Sequence, residues 1–534
     1  MKQFTLLIAV LLLLPVAHAQ HAEILKPIGD PGVGIGIDFQ NIIPSNNRFF
    51  FRKGVFASSF DQYDWWISDG TEAGTQIVKA FSPTLLSWQL HDPTEVNGTM
   101  FFVHNDSTSG IELWKSDGTA AGTVLVKDID PGFDNIGLSF LTSFNGDLYF
   151  FRNAPGDFQL WKSDGTEQGT QLVVDFPTVS QGFLIEPIVV VNNKLFFMGP
   201  SNQGIELWAS DGTPAGSYVV KDIWPGANGS EVQYLMEHNG LLYFFANDNI
   251  HGLELWKSDG TESGTVLVKD AAPGATPFLW FPEKKEIGRF NGELYYARRF
   301  QGKRELWKTD GTSAGTVQLK IFEDSGLNNI EFAEWNGSLL FSADDGTHGV
   351  ELWKTDGTVA GTQLVKDLLP GINGSGLNSF TVVEGELFFT ANVNEAGIWK
   401  TDGTSAGTQL VSHLPNGLSA SAMASLTAFG NTLFFTAEDA TNGVQIWKLK
   451  DNVVSVAETP VENSISIGPN PSYDVFYLHT QGQELELVVT DLQGRTTDVQ
   501  IHNYKLDLSN QPTGIYLLRG TVNGQPFRKK LIKL

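Results

Sequence analysis

Apolar residues in this chain come in short, nearly continuous runs, with no stretch of helical spacing. Leu148 to Phe151 and Leu241 to Phe245 each follow an Asn-Gly pair, Asn145-Gly146 and Asn239-Gly240, which is the signature of a tight β-hairpin. Consecutive apolar residues in a strand point to opposite faces, so these strands need cover on both sides. Glu112-Leu113-Trp114-Lys115 asks for the same double cover, with Leu113 and Trp114 facing opposite ways. The next strand, Val124 to Asp128, is reached through Ser116-Asp117-Gly118-Thr119-Ala120-Ala121-Gly122. Gly118 and Gly122 suit turn positions with positive φ, and the Asp117 side chain can accept from nearby backbone amides. With the weaker strand before the hairpin turn, Leu138 to Phe144, the unit holds four antiparallel strands.

The unit repeats. Trp66, Trp114, Trp161, Trp208, Trp256, Trp307, Trp353, Trp399 and Trp447 stand 46 to 51 residues apart, and eight of the nine copies carry Asp-Gly-Thr, from Asp69-Gly70-Thr71 to Asp402-Gly403-Thr404. Four-stranded sheets at this period, each needing a neighbour on both faces, predict an all-β, multi-bladed β-propeller. An open solenoid is the alternative, and the ends of the repeat region discriminate. The last copy lacks the Asp-Gly-Thr loop and the strand after it. The segment Ile24-Leu25-Lys26-Pro27-Ile28-Gly29-Asp30-Pro31-Gly32 supplies a match to Leu125 through Gly132. A ring closed by a blade built from both ends accounts for this, with Pro27 tolerated on an edge strand. Counting gives nine four-stranded blades, or eight if the usual range of four to eight holds. The pattern resembles the family of ELWxxDGT repeats over residues 21 to 450, which implies an extracellular repeat protein and carries no general activity.

Both ends carry addresses. Lys2, an apolar run from Phe4 to Val16 and Ala17-His18-Ala19 read as an export signal cleaved between Ala19 and Gln20. The run is too short to span a bilayer, so no membrane span is expected. The predicted domains are therefore a signal peptide at 1–19, the propeller at 20–455 and a small C-terminal β-sandwich at 456–534. The tail resembles the type A sorting domain of type IX secretion cargo. The carrying residues are Pro469-Asn470-Pro471, Asp491 with Gly494-Arg495, Gly514 with Tyr516, and the terminal Lys529-Lys530. The resemblance implies recognition by the outer-membrane secretion machinery, then release or attachment at the cell surface.

Composition narrows the chemistry. The chain has 534 residues, no Cys and a formal net charge of -25. All of the excess acidity lies between residues 20 and 460, because the tail is balanced. Acidity argues against nucleic acid or an anionic membrane as the partner. The absence of sulfur excludes disulfides, thiolate metal sites and a cysteine nucleophile. No His pair has helical zinc spacing, and no nucleophile elbow or phosphate loop is present. An Asp repeated eight times is a structural turn, because one active site needs one unique constellation. Irregular loop carboxylates, Asp106, Asp248, Asp344-Asp345 and Glu438-Asp439, lie with His251 and His348 before the Trp strand. Asp248, Asp344, Asp345 and Asp439 are candidate Ca²⁺ ligands, with a solvated turn the alternative and no other cofactor implied. Trp88, Trp224, Trp280 and Trp335 fall out of register and could stack on sugars or pack between blades. The expected function is a secreted, non-catalytic binding or adhesion ring for a glycan or surface protein. An extracellular carbohydrate-active hydrolase or lyase with a carboxylate pair is the alternative.

Overall fold

In the computed structural model, the residues described are 20–28, 42–45, 47–57, 60–81, 93–106, 108–131, 137–154, 156–177, 186–272, 287–323, 331–413, 426–439 and 443–451, together with segments of the tail between 466 and 533. The expected signal, residues 1–19, lies outside them. The described residues fall into two compact units, one within Ala19–Asp451 and one within Asn452–Leu534.

The larger unit is a nine-bladed propeller of four-stranded antiparallel sheets. The strands of each blade are lettered a to d in the order they pair, and the a strands touch between blades 2 and 3, 4 and 5, and along blades 6 to 9. In blade 2 they are Thr94–Val96, Thr99–Asn105, Ile111–Ser116 and Val124–Lys127. The Asn-Gly turns between a and b place both residues at positive φ, as at Asn145 (+52°) and Gly146 (+87°). This backbone twist matches that of the flanking strands.

Double cover is met. Leu148, Tyr149, Phe150 and Phe151 are all buried, as are Leu113 and Trp114. The apolar faces of adjacent blades interdigitate, so that Phe196 and Met198 of blade 4 share one core with Phe244 and Trp256 of blade 5. In blades 1 to 8 the d strand carries a bulge opposite the step into the repeated Trp. Leu113 faces Lys127 and Trp114 faces Leu125, while the extra residue, Val126, is buried.

Each Asp-Gly-Thr loop is a closed hydrogen-bond ring. Asp117 Oδ1 accepts from Thr119 N (2.9 Å) and Thr119 Oγ1 (2.7 Å), and Thr119 Oγ1 accepts from Gly122 N (3.0 Å). Gly118 has the expected positive φ of +89°, but Gly122 does not. Gly122 is needed because a Cβ there would sit 2.1 Å from Asp117 Oδ1. Its role is close approach to the carboxylate, which the turn rule for positive φ does not capture.

The ring closes through its ends. Gln20–Ile24 is the outer strand of blade 9, antiparallel to Gly443–Asp451, with Ile24 opposite Trp447 just as Leu125 is opposite Trp114. Lys26 Nζ then donates to Thr75 O of blade 1 (2.6 Å). Lys79, Lys127 and Lys221 make the same bond to Thr123, Thr170 and Thr265 of their next blades. Leu25 and Ile28 join Phe49, Phe51 and Phe434 in the core at the seam. Pro27 falls beyond the strand's last residue. The count is nine blades, and the blade shared between the two ends is the ninth.

The tail holds a four-stranded sheet (Ser466–Gly468, Val475–His479, Lys505–Asp507, Gln500–His502) and a three-stranded one (Leu485–Thr490, Gly514–Val522, Gln525–Lys533). Phe476, Val489, Leu506, Tyr516, Leu518 and Leu531 form their common core. Lys533 is buried, and its ammonium donates to Leu508 O and Gln511 O at 2.8 and 2.7 Å.

Candidate functional site

Strand direction sorts the loops onto two ends of the ring. The a–b turns and Asp-Gly-Thr loops share one end, and the b–c loops and d–a links share the other. The first end is nearly identical from blade to blade. Sequence variation concentrates at the second, so the candidate site is sought there.

Carboxylates come first, because they are the groups able to do acid–base work. The Glu of Glu-Leu-Trp is buried in blades 2, 4, 5, 6 and 7. Glu112 accepts from Ile129 N (2.9 Å) and Asp130 N (3.2 Å), and Glu351 accepts from Leu368 N (2.8 Å) and Ser375 Oγ (2.9 Å). Glu254 takes Ala272 N at 2.8 Å, and Gln445 takes Ile28 N at 2.9 Å. Each therefore holds the chain where it leaves the outer strand. Burial pushes Glu112, Glu254 and Glu351 up to about 7, and Glu206 to about 8. Raised carboxyl groups are a mark of catalytic acids. These ones recur from blade to blade and are bound to backbone, which marks them as scaffold.

The loop carboxylates are also engaged. Asp248 Oδ1 accepts from Ile250 N (2.9 Å) and His251 N (2.8 Å), and Oδ2 meets His251 Nδ1 at 2.6 Å. In blade 7, Asp345 Oδ1 accepts from Thr347 N and His348 N, and Oδ2 stands 2.9 Å from His348 Nδ1. Against the desolvation of partial burial, these hydrogen bonds hold Asp248 and Asp345 below the usual carboxylate range. The carboxylates in turn raise His251 and His348 above the ordinary imidazole value. Asp344 caps Gly346 N at 2.7 Å. Asp439 ends a b strand, and its side chain lies outside the described residues. Among the described residues no three His, Asp or Glu side chains converge to hold a metal ion. Trp335 packs against the core between blades 7 and 8, Trp224 is half-buried, and Trp88 and Trp280 lie outside the described residues.

Basic side chains that break the repeat were not singled out by sequence. The b-strand position opposite the first residue of the Glu-Leu-Trp motif is Gly199, Ala246, Ala343, Ala391 or Ala437 in five blades, but Lys53, His104, Arg152 and Arg298 in blades 1, 2, 3 and 6. Arg298 is 3% exposed, bonded to Glu305 (2.6 Å) and 3.5 Å from Glu254 of blade 5. Arg152 pairs with Asp130 and Asp157, both at 2.5 Å. Burial pushes His104 down to about 3, so it is neutral beside Phe81 and Trp114. Alignment of the nine copies against one another carries this signal: a large basic side chain in four blades where the other five have Gly or Ala.

In the tail, Pro469, Asn470, Pro471, Asp491, Gly494 and Arg495 lie outside the described residues. Gly514 opens the central strand of the three-stranded sheet, Tyr516 donates to Pro512 O at 2.7 Å, and Lys529 and Lys530 lie in the last strand.

Residues 466–534 match the family model of the secretion system C-terminal sorting domain. This is the sorting domain of type IX secretion, so the protein is exported across the outer membrane to the cell surface or extracellular space. No curated protein matches the chain. Among solved structures, it resembles a puromycin hydrolase at 12% identity over 68% of this chain and 52% of that one, with a TM-score of 0.34. A puromycin-hydrolyzing peptidase of Mycobacterium tuberculosis matches at 9% identity over 71% and 60%, with a TM-score of 0.35. The β-propeller domain of the Trilobed protease from Pyrococcus furiosus matches at 12% identity over 62% and 98%, with a TM-score of 0.31. The chain spans about half the length of the first and three fifths of the second. At this degree of likeness the hydrolase and protease names belong to those proteins alone.

Proposed function

We propose that this secreted propeller is a non-catalytic binding or adhesion protein, whose b–c loop end takes a glycan or a protein of the cell surface. One observation carries the reading: the carboxyls with raised pKa recur from blade to blade and are bonded to backbone amides, while the loops above them differ from blade to blade. A hydrolase needs a unique pair of carboxyls open to substrate, one of them raised. The export signal at 1–19, cleavage before Gln20 and the sorting role of Pro469, Asn470, Asp491, Arg495 and Lys529 belong to the same reading, as do domain limits near 455.

The test is a screen of the purified protein against glycans and surface proteins, with and without a Ca²⁺ chelator, together with product analysis. Binding without turnover is the expected result. Reducing ends or unsaturated products from a polysaccharide would replace this reading with the hydrolase or lyase. A loss of binding or of melting temperature on chelation would assign Ca²⁺ a role at Asp248, Asp344, Asp345 or Asp439.

A further inference from the structure

One a–b turn departs from the repeat. In blades 2 to 7 the turn opens on Asn at a φ of +45° to +52°, a left-handed region that Asn tolerates better than most side chains. The Asn amide then ties neighbouring blades together: Asn97 Nδ2 donates to Gly146 O (3.0 Å) and Asn239 Nδ2 to Gly292 O (3.1 Å). Blade 8 opens on Glu384 at +49°, and its carboxylate has no N–H to give to blade 9. Glu384 is exposed, and no cation pairs with it among the described residues. A strained conformation kept by a residue that returns no structural bond points to a functional position.

A cavity of about 420 Å³ opens beside this turn, against strands b and c of blade 9. Its polar lining is Glu384 and Glu386 of blade 8 with Asn431, Thr432 and Lys448 of blade 9, and Leu449 supplies apolar wall. The charges in it do not balance. Glu386 is met by Lys400 at 2.8 Å and Lys448 by Glu23 at 3.2 Å, so the carboxylate of Glu384 is left over. The ring around it is strongly acidic, which makes the local potential more negative still.

We propose that this cavity binds a small organic cation with N–H donors, an alkylguanidinium or alkylammonium head group, free or carried on a peptide side chain. Glu384 supplies the counter-charge, Thr432 and Asn431 supply further acceptors, and Leu449 gives the alkyl stem a wall to lie along. The volume falls within the range of small-molecule sites, about 300 to 1,000 Å³. Glu rather than Asn at the turn then has a reason: the carboxylate forgoes the tie to the next blade and keeps its charge for a ligand. The site lies at the end of the ring opposite the b–c loops and goes beyond the reading of those loops as a binding surface.

The probe is N-butylguanidinium, titrated into the full-length protein by ligand-observed NMR, with the uncharged N-butylurea of similar shape as control. Saturable binding of the cation and none of the urea is expected, weakening as salt is raised. Glu384→Gln should weaken it about fivefold, the scale of a partly exposed ion pair. Thr432→Trp should block the cavity, and Glu262→Gln, on an exposed loop of the same end, should change nothing. Glu384→Asn is the decisive variant. It restores the residue of the other blades, so the melting temperature should rise while binding falls, a combination that a purely structural glutamate would not give. A blocked Gly-Arg-Gly peptide separates the two sources: tighter binding than butylguanidinium means a side chain presented by a polypeptide, and equal or weaker binding means a free cation. No saturation at millimolar cation, equal binding of the urea, or indifference of binding to Glu384→Gln and Glu384→Asn would overturn the proposal. Failure here leaves the glycan and surface-protein screen untouched, because that screen reads the other end of the ring.

Discussion

A cross-link at the seam tests circular closure directly. Glu23 and Lys448 face each other across the closing strand pair and form a partly exposed ion pair at 3.2 Å. Opposed residues of an antiparallel pair bring their Cβ atoms within about 5 Å, which a disulfide can bridge. The chain has no native Cys, so Glu23→Cys with Lys448→Cys introduces the only two thiols. Loss of the surface ion pair costs about 0–1 kcal/mol. The bridge would close a loop of about 425 residues, for which the chain-entropy relation gives about 6 kcal/mol, and bridges in practice deliver about 2 to 4. Thiol titration, mobility on non-reducing gels and urea midpoints of oxidised and reduced protein are the readouts. A bridge that forms within monomers and raises the midpoint is expected. Thiols that stay free under mild oxidant, or pair only between molecules, would mean that the two strands are not neighbours, and the ring would fail with them.

Stability should fall as pH rises from about 4.5 to 8. Glu112, Glu206, Glu254 and Glu351 titrate at about 7 to 8 when folded, against 4.5 as the reference value, so the folded state holds the extra protons in that window. Shifts of this size are worth about 3 to 5 kcal/mol for one residue. Glu206→Gln should flatten the slope of melting temperature against pH, and an unchanged slope would contradict the assignment. The loop aspartates act in the opposite sense below about 3.8, because hydrogen bonds from Thr119 and its counterparts lower them, so stability should also drop in strong acid. Arg298→Ala leaves Glu254 and Glu305 without their buried cation and should cost about 3 to 5 kcal/mol in urea melts, with Arg298→Lys intermediate. Gly122→Ala should cost about 1 to 3 kcal/mol, because its Cβ would overlap the Asp117 carboxylate, and Asp117→Ala in the same chain should recover part of the loss.

The ring was legible because its two determinants are local and periodic. Trp register sets the blade, and the Asn-Gly turns fix where strands a and b reverse, so one copy read well gives the other eight. Closure was legible through a rarer signal: Ile24-Leu25-Lys26 copies Leu125-Val126-Lys127, and the structure gives both segments the same partners. The function of Gly122 was not legible, since positive φ and close approach both select glycine and sequence does not separate them. Nor was the Glu of Glu-Leu-Trp. Its part of the motif looks like a surface charge on an alternating strand, yet Glu112 is fully buried because the chain returning from the outer strand needs an acceptor for two backbone amides.

This contrast says where a ligand should be sought. Each bond that recurs around the ring, from Lys to the next Thr carbonyl or from Asp to its own loop, consumes a polar group in holding blades together. A side chain so used has little left for a partner. Arg152 and Arg298 obey that rule too, since both are buried and ion-paired. What remains for a glycan or protein partner is the b–c loops, where the sequence differs from blade to blade, and it is there that such a partner is to be sought.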